Sequence, residues 1–195
     1  MSIEVFAEPA EEPVTLTEAK AHLRVTASDD DTYITALVKV ARQMAETYLK
    51  RSICTQTLDY SLDSFPAEID LPRPPARSIT SITYTDEDGN SQSLSSAVYQ
   101  TDLSGSVLHS IKTAVDQSWP STQSGAYNAV VVRYVAGYAV PTDSPDLIPS
   151  PIKQAILLTV GELYENREET VIGVSVAPLP NTAERLLAPY RVRLI

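Results

Sequence analysis

The chain has 195 residues, of which 43% are hydrophobic and 21% charged, and this composition predicts a folded protein. Its formal net charge of -10 argues against nonspecific nucleic-acid binding, which needs clustered lysine and arginine to neutralise phosphates. One cysteine, Cys54, excludes an intramolecular disulfide bond and a metal site built from several cysteines.

The first fourteen residues are acidic and contain proline, and we expect an extended arm there. Thr15 and Glu18 have the spacing of a capping box, which predicts a short helix through about Leu23. A long helix is predicted over residues 29–51, with Ser28 as its N-cap, aspartates at its positive end and Lys50 and Arg51 at its negative end. Its apolar side chains recur at the spacing of a one-faced helix: Ile34, Leu37, Val38, Ala41, Ala45, Tyr48 and Leu49.

The middle of the chain changes to a β pattern rich in Val, Ile, Thr and Tyr. Residues 86–90 have the composition of a tight hairpin turn, and local hairpins favour antiparallel pairing. Cys54 falls in the first predicted strand, where a buried structural thiol is expected. The predicted strands are 53–62, 69–71, 78–85, 98–102, 107–111 and 129–136.

Helix returns at residues 151–168, with Ser150 as N-cap and Pro151 as the first helical residue. From Ala155 to Val160 this helix is apolar nearly all round, which indicates burial by its own fold or by a neighbouring subunit. Gly161 in its interior predicts close packing, since glycine costs a helix about 1 kcal/mol relative to alanine.

A short helix over residues 181–187, ended by Pro189, precedes the last residues of the chain. Residues 191–195 alternate basic and apolar side chains. This pattern fits an extended strand added to a partner, or a tail packed on its own subunit.

These elements predict an α+β fold, in which a helical body carries an inserted antiparallel β-rich middle. The helical body comprises the long helix 29–51, the helix 151–168 and the short C-terminal helix. The expected divisions are 1–53 (arm and helices), 54–140 (β-rich insertion) and 141–195 (C-terminal helices and tail), with the helical parts packing as one body.

No arrangement of residues in the sequence predicts an active site. His22 and His109 have no second histidine or cysteine at ligand spacing, and the Asp29–Asp31 run lacks the glycine and final glutamate of a calcium loop. Phosphate-binding and nucleophile motifs are absent from the sequence, so we expect neither enzyme activity nor a metal or cofactor. The sequence has no signal-peptide pattern and no apolar run near 18 residues, so we expect assembly in the cytosol and no membrane contact.

The order of segments resembles a known family. LTEAKAHLRV is followed by DDDTYITALVKVARQMAETYLKRSICTQTLDYSLDSFP, IDLPRPPARSITSITYTDEDG, VVVRYVAGY, AILLTVGELYENRE and LLAPYR. This series is similar to the head–tail connector (adaptor) proteins of long-tailed phages, and especially to the branch with a β-rich insertion that also occurs in gene transfer agents. The most telling parts are TQT after the long helix and ENRE after the apolar helix.

The resemblance implies a structural protein of the virion neck, assembled in the bacterial cytoplasm. It implies a ring, usually of about twelve copies, that docks beneath the portal and bridges it to the stopper or tail-completion protein. DNA would pass through an open channel without sequence-specific binding.

The resemblance also assigns surfaces. The portal would be reached by Leu186, Leu187, Tyr190, Arg191, Val192, Arg193, Leu194 and Ile195. The two apolar helices supply the residues predicted at the subunit interface: Ile34, Leu37, Tyr48, Ile156, Leu157, Val160 and Tyr164.

Two other functions remain open from the sequence. The β-rich middle could be a sandwich-like recognition module that binds carbohydrate or a host surface, with Trp119, Tyr127 and Tyr99 as an aromatic platform. A small hydrolase is a third alternative, because absent motifs are weak evidence against an activity.

Overall fold

A computed structural model describes residues 1–105, 107–138, 147–167 and 181–192. The chain divides into two compact units. We call Met1–Ala10 with Thr55–Tyr138 the β unit. The helical unit is Glu11–Cys54 together with the described part of Ala139–Ile195. Helices and antiparallel sheets together confirm the predicted α+β class.

The β unit contains two antiparallel sheets. The strands are β1 Ser2–Ala7, β2 Gln56–Leu62, β3 Glu68–Asp70, β4 Ala76–Thr85, β5 Ser91–Ser93, β6 Tyr99–Asp102, β7 Ser110–Thr113 and β8 Val130–Ala136. Five strands form the larger sheet, in the order β1, β2, β8, β4, β5. Three strands form the smaller sheet, in the order β3, β7, β6.

Strand β8 is central because β2 and β4 pair with its two edges. Every second residue of β8 is buried and the intervening residues are half-buried, the alternation of a sheet with one covered face. Tyr134 lies opposite Leu58 on β2 and Ile79 on β4. The buried core of this unit consists of Leu58, Leu62, Ile69, Leu71, Ala76, Ile82, Ile111, Val130, Val132, Tyr134 and Ala136.

The N-terminal residues expected as an arm form strand β1, which pairs with β2 along the edge of the larger sheet. Arg133 makes two 2.7 Å hydrogen bonds to the carboxylate of Asp59, and its guanidinium lies 3.3 Å over the Phe6 ring of β1. This cation–π contact fastens the edge strand to the sheet. Most β1 side chains are exposed, and their burial does not alternate along the strand.

The helical unit contains α1 Leu16–Leu23, α2 Asp31–Leu49, α3 Ser150–Glu165 and α4 Asn181–Leu187, followed by a 3-10 turn at Ala188–Tyr190. The capping box of α1 is confirmed: the Thr15 hydroxyl accepts from the Glu18 N–H, and Glu18 accepts from the Thr15 N–H. Helix α3 packs on the other three helices. A Cβ at Gly161 would lie 3.4 Å from Nε2 of His22, so the expected close packing at this glycine is confirmed.

Several predicted boundaries differ from the structure. Asp30, rather than Ser28, occupies the N-cap of α2, and its side chain makes no capping hydrogen bond. Lys50 ends α2 because its φ of 57° is left-handed. Ser150 is the first residue of α3 and not its cap, and α3 ends at Glu165, while residue 168 lies outside the described residues.

The β boundaries also differ. Residues 53–55 connect α2 to β2 without strand structure, so the predicted strand over 53–62 begins only at Gln56. The strand predicted over 107–111 lies instead at Ser110–Thr113. The hairpin at 86–90 is confirmed: the Asp86 N–H donates to the Asn90 carbonyl, and Gly89 has a φ of 85°. Strand β5, which follows this turn, was missed.

Candidate partner-binding surfaces

The C-terminal segment lies against the end of α2. Arg51 follows that helix with 4% of its surface exposed, and its Nε donates to the Tyr190 carbonyl at 2.6 Å. A buried guanidinium is tolerated only when its N–H groups find acceptors, because desolvating the charge is costly. Arg51 therefore joins two segments that lie 139 residues apart in the sequence.

Two further contacts hold the two residues after Tyr190. The Val192 N–H donates to the Leu49 carbonyl at 2.9 Å. The Arg191 guanidinium lies 5.0 Å from the centre of the Tyr48 ring. We define the C-terminal clamp as Tyr48, Leu49 and Arg51, the three α2-end residues that contact residues 190–192. The sequence placed Arg51 at the helix end but gave no indication of its partner.

The residues predicted to reach the portal differ in accessibility. Leu187 is 1% exposed and belongs to the core of the helical unit. Leu186, Tyr190 and Val192 are half-buried, and Arg191 is exposed. The remaining three predicted residues, Arg193, Leu194 and Ile195, lie outside the described residues.

The residues predicted at a subunit interface fall into two groups. Four are buried inside their own subunit, with Ile34, Ile156 and Val160 at 0% and Leu37 at 8% exposed. Packing between α2 and α3 accounts for the burial of these four residues within one subunit. The other three, which are half-buried, are Tyr48, Leu157 and Tyr164.

A polar and aromatic cluster connects the start of α2 to the end of α3. The Tyr164 hydroxyl donates to the Asp30 carboxylate at 2.5 Å, and Arg167 Nη2 lies 3.2 Å from the same oxygen. The Arg167 guanidinium is 4.8 Å from the Tyr33 ring centre and 4.9 Å from that of Tyr164. The cluster gives the first arginine after α3, in the ENRE segment, a defined structural role.

Hydrogen bonding in this cluster changes the pKa of two groups. The bond from Tyr164 lowers the pKa of Asp30, and the nearby charge of Arg167 acts in the same direction. The same bond raises the pKa of Tyr164, because the protonated phenol is the donor. The sequence interpretation, in which Asp30 only complements the helix dipole, missed this tertiary role.

Cys54 is a buried thiol, as expected from the sequence. Burial raises its pKa to about 12, with the negative charges of Glu12 and Glu46 acting in the same direction. The thiolate is the nucleophilic form of cysteine, so Cys54 is a structural residue at neutral pH.

The aromatic residues proposed as a ligand platform have different surroundings. Trp119 stacks on Phe65 at 4.8 Å between ring centres with an interplanar angle of 7°, and with Tyr99 it packs against the core of the β unit. Tyr127 is 88% exposed. Trp119 thus covers the sheet, which gives no support to the carbohydrate-binding alternative.

The described ranges contain neither a metal-binding cluster nor a membrane-spanning helix. No group of three or more His, Cys, Asp or Glu residues there is arranged to hold a metal ion. No described helix combines the length and the apolar character needed to cross a membrane. His22 instead lies against α3 beside Gly161, and Nδ1 of the buried His109 accepts from the Ala76 N–H at 3.4 Å.

Residues 13–118, slightly more than half of the chain, match the family described as phage gp6-like head–tail connector protein. The chain belongs to this family. The matched range includes α1 and α2, whose end forms the clamp, and seven of the eight strands lie in or before it. Membership of the phage gp6-like family supports a structural protein of a virion neck.

The fold is similar to that of chains in solved gene transfer agent (GTA) particles. One is the neck of an empty GTA particle computed with C6 symmetry, with a TM-score of 0.79, 18% identity and coverage of 100% of this chain and 97% of that chain. Another is the virion of a native GTA particle, with a TM-score of 0.78, 18% identity and the same coverage.

A third is the neck of a native GTA particle computed with C12 symmetry, with a TM-score of 0.76, 16% identity and coverage of 100% and 97%. At these identities the likeness shows a shared fold. A comparison with curated protein sequences finds no match.

Proposed function

We propose that this protein is a non-enzymatic head–tail connector of a virion neck. It assembles into a ring beneath the portal and bridges the portal to the stopper or first tail component. The match to the phage gp6-like connector family is the observation that carries this proposal. The similarity of the whole fold to chains in GTA necks supports the same conclusion.

The ring is proposed to contain twelve copies. The C12 symmetry used for one structurally similar neck supports this number, and the C6 symmetry used for another is compatible with it. In such a ring each subunit contacts its two neighbours through two different surfaces. The ring closes when the rotation between neighbouring subunits divides a full turn.

The proposed ring leaves a channel through which DNA passes without sequence-specific binding. The formal net charge of -10 supports passage rather than retention, because an acidic protein repels the phosphate backbone. The protein is proposed to act in the virion, after assembly in the bacterial cytoplasm.

The portal contact is proposed to lie at the C-terminal end of the chain. Arg191 is the exposed basic side chain of the described part of this segment, and Tyr190 and Val192 are half-buried beside it. One charged and two partly accessible apolar side chains suit an interface that combines steering with apolar contact.

Contacts between neighbouring copies are proposed to involve the half-buried Leu157 and Tyr164 of α3 and Tyr48 of α2. A matched pair of substitutions on α3 tests this. We expect Leu157→Arg to reduce ring formation, whereas Gln154→Arg adds the same charge at an exposed position and should leave it intact. Thermal unfolding of both variants separates loss of assembly from loss of fold.

The proposal as a whole is tested by mixing the purified chain with its cognate portal rings. We expect electron micrographs to show an additional ring on one face of the portal, and light scattering to show the corresponding increase in mass. A chain that remains monomeric and leaves the portal unchanged would contradict the proposed function.

A further inference from the structure

We propose that the C-terminal clamp fixes the position and direction of residues 190–192 on the helical unit, so that this segment meets a portal-type ring already oriented. This inference rests on the proposed function. It adds a role for Arg51 and for the Leu49 carbonyl, both of which lie outside the segment proposed to touch the portal.

The end of α2 provides one half of the clamp. The last carbonyls of a helix have no partner within it and must be satisfied by other donors. The N–H groups of Lys50 and Arg51 both donate to the Glu46 carbonyl. The Leu49 carbonyl is instead met by the Val192 N–H, so the C-terminal segment completes the cap of a helix that is distant in the sequence.

Arg51 provides the second half. With 4% of its surface exposed, this charge is held inside the helical unit, and its Nε is directed at the Tyr190 carbonyl. Arginine suits this task because its planar guanidinium keeps its charge and offers several donors in fixed directions.

The segment held by the clamp has a defined shape. The 3-10 turn Ala188–Tyr190 contains Pro189, which restricts the backbone immediately before the clamp. Arg191 then becomes extended, with φ of -67° and ψ of 129°, and its guanidinium lies over Tyr48. Residues 190–192 are thus held through a side-chain donor, a backbone donor and a cation–π contact.

Fixing this segment affects how strongly the end of the chain binds. A free tail loses conformational freedom when it docks, and this loss weakens binding, whereas a segment ordered beforehand has already undergone it. A clamp that merely joined α2 to the C-terminal turn would change the stability of the subunit without changing portal affinity. The two roles are therefore separable by experiment.

Two variants each remove a different contact of the clamp. Arg51→Gln removes the guanidinium, and Arg185→Gln removes an equal charge from an exposed position on α4 as its control. Val192→Pro removes the N–H that meets Leu49, and the extended Arg191 is compatible with a following proline. Val192→Ala shortens the side chain but keeps that N–H, so comparison with it isolates the hydrogen bond. Circular dichroism checks that each variant folds.

The first readout is trypsin cleavage after Arg191 in the full-length protein, followed by mass spectrometry. We expect about tenfold faster cleavage in Arg51→Gln than in wild type, and no change in Arg185→Gln, because a protease needs a released, extended segment. Equal cleavage rates in wild type and Arg51→Gln would overturn the clamp.

The second readout is affinity for cognate portal rings. We expect Arg51→Gln to bind about tenfold more weakly than Arg185→Gln, and Val192→Pro about tenfold more weakly than Val192→Ala. Equal affinities within both pairs would overturn the orienting role. If the wild-type protein does not bind the portal, the proposed function fails. The cleavage rates alone then test whether the clamp holds residues 190–192. Val192→Pro keeps the test informative if Arg51→Gln does not fold.

Discussion

Arg42 and Glu46 form an ion pair inside the helical unit: Nη1 of Arg42 lies 2.9 Å from Oε2 of Glu46, and 1% of the Arg42 side chain is exposed. Arg42 also binds both carboxylate oxygens of Glu12, at 2.7 and 3.3 Å. The second oxygen of Glu46 accepts from the Ile53 N–H at 2.8 Å. Glu12 and Ile53 lie close to two of the points where the chain passes between the units, after Ala10 and after Cys54, so one network holds the chain on the helical-unit side of these two crossings.

Removing the arginine from this network should destabilise the protein strongly. Arg42→Met removes the cation that pairs with the buried Glu46 carboxylate, and we expect the free energy of unfolding to fall by about 3–5 kcal/mol. Urea denaturation measures the change. Gln43→Met, at the exposed neighbouring position, should change stability by less than about 0.5 kcal/mol. A similar small effect of both substitutions would show that the network contributes little.

The buried hydroxyl of Tyr134 should contribute measurably to the β unit. It donates to the Pro72 carbonyl, and burial raises its pKa, so it stays protonated. Tyr134→Phe leaves that carbonyl without its donor, and we expect a loss of about 1–3 kcal/mol in unfolding free energy. Tyr127→Phe is the matched control, since Tyr127 is 88% exposed. Equal unfolding free energies of the two variants would show that the Tyr134 hydrogen bond does not stabilise this core.

The thiol of Cys54 should resist modification in the native protein. It is 0% exposed, and burial raises its pKa to about 12, so at pH 8 the folded protein has almost no accessible thiolate. We expect reaction with a thiol reagent only in denaturant, where the ordinary pKa of about 8.5 returns. Rapid stoichiometric labelling of the native protein would contradict the burial of this side chain.

The contact between Asp30 and Tyr164 should make stability depend on pH in acid. The pKa of Asp30 is lowered on folding, so its contribution is complete above the unfolded value of about 3.9 and is lost as pH falls through the folded pKa. We expect Asp30→Asn to be less stable than wild type at neutral pH, with the difference shrinking below about pH 4.

Thermal unfolding across this pH range measures the difference between wild type and Asp30→Asn. Asp29→Asn is the matched control, because Asp29 is an exposed neighbour. A gap between wild type and Asp30→Asn that stays constant from neutral pH into acid would rule out the proposed role of the carboxylate.

Local features of the fold could be predicted from the sequence. The capping box depends on two residues three positions apart, Thr15 and Glu18, and it formed where predicted. The hairpin turn after Asp86 is equally local, since its hydrogen bonds join residues within four positions of one another. The apolar stripe of α2 was read correctly as a buried face.

The features that were missed depend on partners distant in the chain. Strand β1 forms through backbone pairing with β2, in a register that places Glu4 opposite Asp59. Local sequence patterns do not predict this register. Arg42 falls on the buried side of α2, and its i,i+4 spacing to Glu46 was the available signal, although the same spacing also occurs in exposed pairs.

By itself, the sequence determined the classes of the elements and most of their positions, because helical and strand periodicity, caps and turns depend on neighbours within a few residues. Its order of segments also indicated the connector family. Tertiary structure alone decided which apolar residues are core, which charges are buried and where the C-terminal segment is held. The Arg51–Tyr190 contact joins positions 139 residues apart, and only the packing of α2 with α4 and its following turn brings such groups within hydrogen-bond distance.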